Sequence, residues 1–418
     1  MSFDSMGIEK TAMDVLRKYP LCDHCLGRLF ARLGVGLTNE ERGRAIKNYL
    51  LMSIHEKIIS EGLSDEAIND LKVLALSGHE PSIGFLRNLG IEVSPMPCYV
   101  CGNSIFNRLD EWARNIADSL RSLNAEYRTF RLGTRVPSDL LSRELNITTE
   151  FNISTAESIK RELNRELGKR VSAILGLSFS RESPDVEVVL DITTGSVNIQ
   201  LMPIYVFTRY RKIRRFTKRA SIRWPTDYIA QVYGAQGIIV HSGGDEVSNV
   251  RVLGNGRPLV IQIIKPSKRP SLNDIIASLK NTDDYDVIFD RMEYVRGSII
   301  RRIKARSREY VITYRVLAVT ENPITDETIR SLHEYFRNRQ VNQRLRVKGR
   351  VRRRVSMVYE LNGRAIGDRL MELLIRCQGN LHVRGFVHGG FGDIEPSIAG
   401  TLGFGVKPIE IDILRITD

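Results

Sequence analysis

Apolar residues recur at helical spacing through the first part of the chain, with polar residues between them. This period predicts helices over the segments that begin at Ile8, Thr38 and Asp65, which read IEKTAMDVLRKY, TNEERGRAIKNYLLMSIHEKI and DEAINDLKVLAL. Thr38 is a suitable N-cap for the second helix, and Glu41 stands three residues on to complete a capping box. The chain therefore begins with a helical region.

The pattern changes near residue 126. EYRTFRLGTRV is typical of a strand, TAESIKRELNRELGKRVSAIL of a long helix, and DVEVVLDIT and SVNIQLMPIYVF of two strands that pair through a turn at Thr194–Gly195. Further on, GIIVHSGG, RPLVIQII, YVITYRVLAVT and IEIDILRIT have the β-branched runs of strands, and SLNDIIASL and DETIRSLHEYFRNR are helical segments between them. These patterns predict the α+β fold class.

The length of 418 residues leads us to expect two or three domains, each large enough to bury its own core. There is no internal repeat and no low-complexity linker. The best boundary lies near residues 203–210, where an apolar strand gives way to the basic run RYRKIRRFTKR. We therefore predict one domain over residues 1–204 and another over residues 205–418.

Four of the five cysteines form two pairs of identical spacing, Cys22/Cys25 and Cys98/Cys101. A Cys-x-x-Cys turn offers two thiolates to one tetrahedral metal, and two such turns close a four-thiolate site. Gly27 and Gly102, which follow the pairs, suggest tight knuckle turns. We predict one structural Zn²⁺, which would fold the intervening helical segment back on itself. A redox pair is the alternative, and His24, between the first two cysteines, is interpreted as a bystander.

The formal net charge is +13, and three stretches concentrate the basic residues. They cover residues 209–219, 296–308 and 344–354, and Tyr210, Phe216 and Trp224 accompany the first. Arginine binds phosphate in a bidentate manner and aromatic rings stack on unpaired bases, so the pattern favours RNA. The alternative is a set of solvated strand and helix faces. The RNA-binding candidates of the first stretch are Arg209, Arg211, Lys212, Arg214, Arg215, Lys218 and Arg219.

The composition argues against two other classes. No window of about 18 apolar residues predicts a membrane span, and the N-terminal residues lack an apolar segment of signal-peptide length. Five cysteines in 418 residues do not indicate a disulfide framework. We expect a cytoplasmic protein that does not associate with a membrane and has no evident obligatory protein partner.

Several segments resemble the archaeal and eukaryotic tRNA pseudouridine synthases that act in the T-loop. The strongest are LCDHCLGRLF, continuing through GLTNEERGRAI, and HSGGDEVSNVRVLGNGRPL. ESIKRELNRELGK, the segment from Tyr205 to Arg-Trp-Pro at 223–225, Tyr310 to Thr320, and Phe386-Val-His-Gly389 with Pro396-Ser397 are similar to further family segments. The resemblance therefore runs the whole length of the chain.

The resemblance implies a zinc-bearing N-terminal region with a THUMP domain at about 80–204, and a mixed-sheet pseudouridine synthase-like domain after it. It implies isomerisation of uridines 54 and 55 in the T-arm of tRNA, with no redox or nucleotide cofactor. In the family the uridine is flipped into a pocket. An aspartate carboxylate then attacks, the glycosidic bond breaks, and the base is rejoined through carbon.

The chain departs from the family pattern at the nucleophile. Aligning Val250-Arg251 with the family motif places Glu246 on the family glutamate and Val247 on the nucleophilic aspartate. Valine cannot act as a nucleophile. Asp245 is the candidate for a displaced nucleophile, although it stands two residues early, about 6–7 Å along an extended chain. Glu246 is one residue away and would face the other side of a strand.

Other family positions point to substrate-binding residues. Tyr314 matches the family tyrosine for the substrate base, and Arg251 and Arg257 are candidates to hold a carboxylate or a phosphate. His382 replaces a family tyrosine and could stack on a base. Arg384 replaces a family lysine.

Two functions therefore remain open from the sequence. One is a T-loop tRNA pseudouridine synthase with an unorthodox nucleophile. The other is a tRNA-binding protein or RNA chaperone on the same scaffold that has lost the isomerase. Both predict zinc and salt-dependent tRNA binding.

Overall fold

A computed structural model describes residues 7–218, 221–244, 248–347 and 350–417. The chain divides into two compact units, residues 1–201 and 202–418. Each unit has its own apolar core. The fold is α+β, as the hydrophobic pattern predicts, and both units contain sheets with parallel and antiparallel strands.

The first unit begins with helices and ends with a small sheet. Its helices are α1 Ile8–Lys18, α2 Asp23–Leu29, α3 Asn39–Glu61, α4 Asp65–Leu76, α5 Glu80–Asn88, α6 Leu109–Arg121, α7 Ser138–Glu150 and α8 Ile159–Leu175. Its strands are β1 Thr129–Arg135, β2 Ser178–Phe179, β3 Val186–Asp191 and β4 Val197–Leu201. The strand order is β2-β1-β3-β4, with β1 parallel to β3 and β3 antiparallel to β4.

The predicted capping box at the start of α3 is confirmed. The Thr38 hydroxyl accepts a hydrogen bond from the Glu41 backbone N–H, and the Glu41 carboxylate accepts one from the Thr38 backbone N–H. The helices predicted from Ile8 and Asp65 are also present, as α1 and α4.

Helices α2 and α3 cross at very short distance, and two glycines permit this. A Cβ built on Gly27 would lie 1.8 Å from the Asn39 carbonyl oxygen, and one on Gly43 would lie 1.9 Å from that of Asp23. The expectation that Gly27 serves a tight knuckle turn is therefore wrong, because Gly27 lies within α2. Gly102 does have the left-handed φ of +61° that such a turn requires.

The second unit is built on one large twisted sheet. Its helices are α9 Thr226–Val232, α10 Leu272–Lys280, α11 Ile299–Arg306, α12 Asp326–Phe336, α13 Val383–His388 and α14 Ile398–Leu402. Its strands are β5 Ile204–Lys212, β6 Gly237–Ser242, β7 Val250–Ile264, β8 Val287–Tyr294, β9 Val311–Thr320, β10 Arg339–Val347, β11 Arg350–Gly367, β12 Leu370–Gln378, β13 Ile394–Glu395 and β14 Val406–Thr417.

The strand order of this sheet is β13-β10-β11-β12-β9-β14-β7-β5-β8, and β6 pairs with the second half of β7. Strand β14 lies between β9 and β7, antiparallel to the first and parallel to the second. Strand β7 bends at Gly254 and Gly256, which have left-handed φ angles of 54° and 69°. A Cβ on Gly254 would lie 1.8 Å from the Leu414 carbonyl oxygen, so the backbone passes β14 where no side chain fits.

The prediction of a single strand over SVNIQLMPIYVF is wrong. The segment forms β4, which belongs to the first sheet, and β5, which belongs to the second, with Met202 and Pro203 between them. Proline has no backbone N–H to donate to a neighbouring strand, so it ends the pairing of β4. The predicted pairing of β3 with β4 is confirmed, with Gly195 in the turn at a φ of 72°.

Candidate metal centre and candidate active site

The four paired cysteines converge in the first unit. Cys22 is the N-cap of α2 and Cys25 lies in its first turn, while Cys98 and Cys101 lie in a turn after α5. The Tyr99 N–H donates to the Pro20 carbonyl at 2.8 Å and ties the two segments together. The four sulfur atoms lie within 4.8 Å of one another, which is close enough for one metal ion.

The cysteine cluster is mostly buried. Cys25, Cys98 and Cys101 are 1%, 3% and 4% exposed, and Cys22 is half-buried. Burial raises the pKa of the Cys25 thiol well above its ordinary value. A thiolate at this position therefore needs a cation to stabilise it, and a bound metal ion supplies one.

Two side chains of α2 connect the cluster to α7 and α8. The guanidinium of Arg28, which is 1% exposed, donates to Glu144 Oε1 at 2.8 Å and to Glu162 Oε2 at 3.2 Å. His24 Nδ1 lies 3.0 Å from Glu162 Oε1, and its ring stacks on Phe106 at 4.0 Å. No local pattern in the sequence points to Arg28 or to either glutamate, because their ion pairs join residues more than 100 positions apart.

The candidate active site lies at the start of β7. Asp245, Glu246 and Val247 lie outside the described residues, so the geometry is given by their neighbours in the chain. On one side, a Cβ on Gly244 would lie 3.1 Å from Arg257 Nη1. On the other, the Ser248 carbonyl accepts hydrogen bonds at 3.0 Å from Lys212 Nζ and from the Phe216 backbone N–H. Buried cationic side chains therefore contact both ends of the loop.

Tyr314 and Arg257 are brought together. Both are buried, at 9% and 7% exposure, and the charge of Arg257 acts on the Tyr314 phenol. Burial and the neighbouring Cys377 nevertheless raise the pKa of Tyr314, so at neutral pH its hydroxyl is protonated. The Tyr314 hydroxyl can therefore donate a hydrogen bond.

Arg251 lies in a different cluster from Arg257. It donates to both oxygens of Asp412, at 2.8 and 2.6 Å, and the Asp412 carboxylate also accepts from Arg215 and from Arg315. The Asp412 side chain is 1% exposed. Although burial opposes ionisation, the hydrogen bond from Arg251 and the charges of Arg215 and Arg251 hold the pKa of Asp412 below its ordinary value.

The first basic stretch is largely engaged within the protein. Strand β5 alternates, so Tyr210 and Lys212 are fully buried, while Arg211 on the other face pairs with Asp290 at 2.8 Å. Arg214 pairs with Asp286 at 3.4 Å, and Arg209 donates to the Gly256 carbonyl at 3.0 Å. Lys218 is exposed, and Arg219 lies outside the described residues.

His382 has a structural contact that the sequence analysis did not anticipate. Its Nδ1 accepts a hydrogen bond from the Gly385 backbone N–H at 3.1 Å and so caps α13. Its own N–H donates to the side chain of Gln343, which is 1% exposed. Although His382 is exposed, its ring is oriented by this cap.

The described residues of the third basic stretch lie on β10 and β11, which pair with each other. Arg344 stands directly opposite Arg353, and Gln343 stands opposite Arg354. Arg344, Arg353 and Arg354 line a cavity of about 500 Å³ together with Asp393 and Glu395. Like charges opposite each other in a sheet destabilise it, so this arrangement favours an anionic ligand. The second stretch includes α11, which carries Arg301, Arg302, Lys304 and Arg306.

Helices long and apolar enough to cross a bilayer do not occur in the part of the chain that the structure describes.

Comparison with known proteins identifies the class of this fold. Residues 112–191 match the family model described as the archaeal Pus10 THUMP domain, and residues 205–417 match the one described as Pus10, C-terminal. The protein named tRNA pseudouridine synthase Pus10 in Vulcanisaeta distributa is 66% identical, over 99% of this chain and 100% of the relative. Its namesake in Caldivirga maquilingensis is 37% identical, over 98% and 100%.

Among solved structures, a Cbf5-Nop10-Gar1 complex matches with 15% identity and a TM-score of 0.32, over 50% of this chain and 48% of that chain. That likeness is too slight to bear on the fold. The family models and the full-length relatives are decisive: the chain belongs to the Pus10 family.

Proposed function

We propose that this protein is a tRNA pseudouridine synthase that converts uridines 54 and 55 of the T-loop into pseudouridine. The observation that carries the proposal is the 66% identity, over 99% of the chain, to a relative named tRNA pseudouridine synthase Pus10. The protonated Tyr314 of β9 beside the buried Arg257 of β7 supports the proposal, because the pair offers a ring, a hydroxyl donor and a cation. The protein would act on the T-arm of tRNA in the cytoplasm, without an obligatory protein partner.

The reaction needs a base pocket, a nucleophile and a proton donor or acceptor. Uridine and pseudouridine are isomers, so no oxidant or nucleotide cofactor is consumed. The carboxylate attacks and the bond between the ribose C1′ and N1 breaks. The base turns, C5 bonds to C1′, and the carboxylate is released. C5 then loses its proton and N1 gains one, so atoms and charge balance. Tyr314 is suited to stack on the flipped base, and Arg257 to hold an anionic group at the site.

Asp245 is the candidate nucleophile in this proposal. It follows Gly244, and the backbone of Gly244 passes next to the Arg257 guanidinium. A nearby arginine keeps a carboxylate ionised, which is the form that attacks. Glu246 is the competing carboxylate, because it stands one residue before the family nucleophile position. It is the weaker candidate, because it matches the family glutamate rather than the nucleophile.

We propose further that the metal of the first unit is a structural Zn²⁺. Four sulfurs around zinc at about 2.3 Å would lie roughly 3.8 Å apart, and the Sγ atoms of Cys22 and Cys101 lie 3.5 Å apart. A site closed by four cysteines has no open position, so the ion would hold Cys22, Cys25, Cys98 and Cys101 together without taking part in the reaction. The THUMP region, at about 80–204, would then bind tRNA from a metal-stabilised unit.

A single-turnover assay with purified protein and unmodified tRNA transcript tests the function. We expect pseudouridine at positions 54 and 55. A transcript with cytidine at position 54 should lose the product at 54, and one with cytidine at position 55 should lose the product at 55. Asp245→Ala should lower the rate by at least about 10³-fold, as loss of a nucleophile does elsewhere. Glu246→Gln is the matched variant and should retain product.

The outcomes of the assay separate the alternatives. If stoichiometric wild-type protein yields no product yet binds the transcript, the isomerase is refuted and a tRNA-binding protein or chaperone remains. If product survives Asp245→Ala but not Glu246→Gln, the nucleophile is Glu246.

A further inference from the structure

Arg28 contacts the cysteine cluster directly. It lies one turn after Cys25 in α2, and its Nη1 and Nη2 atoms are 3.8 and 3.7 Å from Cys25 Sγ. Both contacts are hydrogen bonds from a cationic side chain to a cysteine sulfur. Its burial, at 1% exposure, excludes water as a competing partner.

The charge of a metal-bound cluster explains why a cation belongs there. Four thiolates and one divalent ion carry a net charge of −2, which is costly to bury in a medium of low dielectric constant. A guanidinium that donates two hydrogen bonds toward one sulfur offsets part of this charge and fixes the sulfur's direction. Partners of this kind around the ligands of a metal typically change its affinity by about 10–100-fold when they are removed.

The same guanidinium is anchored in the sheet-bearing half of the unit. Glu144 of α7 accepts from Arg28 Nε and also from the backbone N–H of Ile159, the first residue of α8, at 2.9 Å. Glu162 of α8 accepts from Arg28 Nη1 and lies against His24. One buried side chain therefore joins a ligand sulfur to the start of α8 and to α7.

The two sides of the cluster differ. Cys22 and Cys101 line a cavity of about 260 Å³, which Asp23, Lys47 and Asn103 also border. Cys25 is not among the residues of that lining and instead contacts Arg28. Because Arg28 does not line the cavity either, its substitution leaves this approach to the cluster lined by the same residues, and a change in metal retention would report on Arg28 itself.

We propose that Arg28 is a positioning residue of the metal centre, which retains the ion by donating to Cys25 Sγ and couples its presence to α7 and α8 through Glu144 and Glu162. This rests on the proposed zinc site. The competing explanation is that Arg28 only pairs with the glutamates to hold α2 in place, whether or not a metal is bound.

Zinc competition on the full chain distinguishes the two explanations. Zinc affinity is measured against a chromogenic chelator, and the melting temperature is measured before and after zinc removal. Arg28→Met should weaken zinc binding by about 10–100-fold and shrink the drop in melting temperature on zinc removal. Arg28→Lys keeps the charge but cannot donate to Cys25, Glu144 and Glu162 together, so its loss should be smaller.

Glu144→Gln is the matched control, because it alters the same network without touching a sulfur. It should lower the melting temperature but change zinc affinity by less than about 3-fold, well short of the loss expected for Arg28→Met. If Arg28→Met fails to fold, Arg28→Lys carries the test through the sulfur-to-cobalt charge-transfer bands of the Co²⁺-substituted protein. A shift of those bands supports the proposal, and bands identical to wild type overturn it.

The proposal would also be overturned if Arg28→Met bound zinc with wild-type affinity and lost only as much stability as Glu144→Gln. A wild-type protein that binds no zinc would instead refute the zinc site itself, which is a separate result.

Discussion

The two units hold their charged groups in opposite ways. In the first, Arg28 and two glutamates surround a cysteine cluster from within the core, and the cluster joins segments from both ends of the helical region. In the second, the arginines divide among several ion pairs along the sheet, and Arg257 alone of the predicted substrate-binding arginines lies near Tyr314. Cysteine spacing thus predicts which side chains meet, whereas a run of basic residues does not.

The reason is geometric. A pair of cysteines within one turn must point to the same place, because the turn leaves no freedom to separate them. A run of arginines on a strand sends alternate side chains to opposite faces, and acidic residues on neighbouring strands then pair with them. Lys212 and Arg211, adjacent in sequence, show this with one side chain buried and one paired to Asp290.

Removing one ligand should have the largest effect. Cys98→Ser leaves three thiolates, and zinc content should fall from about one per chain to under about 0.1. Structural zinc contributes roughly 10 kcal/mol or more in small domains. The melting temperature of the first unit should therefore fall by more than about 10 °C. Metal analysis and thermal unfolding measure this. Cys377→Ala, in the second unit, is the control and should retain the zinc; a Cys98→Ser variant as stable as wild type would refute the site.

Disrupting the buried carboxylate of the second unit should come next. Asp412→Asn leaves three guanidiniums beside a neutral amide, and loss of one partner of a buried pair costs about 3–5 kcal/mol. Asp290→Asn, whose carboxylate is 38% exposed, should cost less than about 1 kcal/mol. Urea unfolding compares them, and equal losses would show that burial does not distinguish the two pairs.

The same carboxylate should give the second unit its acid sensitivity. The folded-state pKa of Asp412 is held below the ordinary value, as is that of Asp286, where burial is outweighed by hydrogen bonds from Arg223. Their contribution is therefore complete above the unfolded pKa of about 3.9 and is lost as pH falls through the folded pKa. Asp412→Asn should flatten the pH dependence of stability below pH 5, and an unchanged slope would assign the acid sensitivity to other groups.

Tyr314→Phe should affect the reaction more than the fold. It removes the hydroxyl of a buried side chain, which is 9% exposed, and leaves the ring in place. If the phenol donates a hydrogen bond during base transfer, the single-turnover rate should fall by about 10²-fold, within the range for general acid–base groups. Tyr233→Phe, which is also buried at 1% exposure, is the control at which the rate should stay within a few-fold, because its hydroxyl lies against that of Tyr294. If the Tyr314→Phe rate equals that of the wild type, the Tyr314 hydroxyl takes no part in the reaction, and the role left for Tyr314 is stacking of its ring on the base.

The smallest effect separates an arginine that pairs with an acidic side chain from one that lines the cavity beside β10 and β11. Arg353→Ala, on β11, should reduce the slope of log affinity for tRNA against log salt by about 1, as loss of one phosphate contact does. Arg211→Ala, whose guanidinium pairs with Asp290, should change that slope less. Filter binding at several salt concentrations measures both, and a larger change for Arg211 would restore the first basic stretch as the RNA contact.

The sequence was sufficient for elements with a local cause. The capping box of α3, the amphipathic α1 and α4, and the β3–β4 pair each depend on residues within a few positions of one another. The convergence of the four cysteines also followed from their spacing, because the predicted metal ion requires both pairs to meet. Family motifs then supplied the overall organisation.

Long-range pairing could not be predicted in the same way. The segment SVNIQLMPIYVF divides between two sheets because β4 pairs with β3 and β5 pairs with β7 and β8. The signal for this division in the sequence was Pro203. Asp412 lies far along the chain from its partners Arg215 and Arg251, so neither periodicity nor spacing indicates their contact. The close approach of α2 and α3 was likewise visible in the sequence only as glycines.

The place of β14 in the second sheet has a consequence for how the protein is made. Strand β14, at Val406–Thr417, separates β9 from β7, yet it is synthesised after both. A ribosome that stops before Val406 would release a chain with two long, unpaired strand edges, a template for aggregation. Among the described residues of the first unit, the last strand, β4, lies at the edge of its sheet and separates no earlier pair of strands. Faulty translation products of this protein should therefore be recognised and degraded through their second unit.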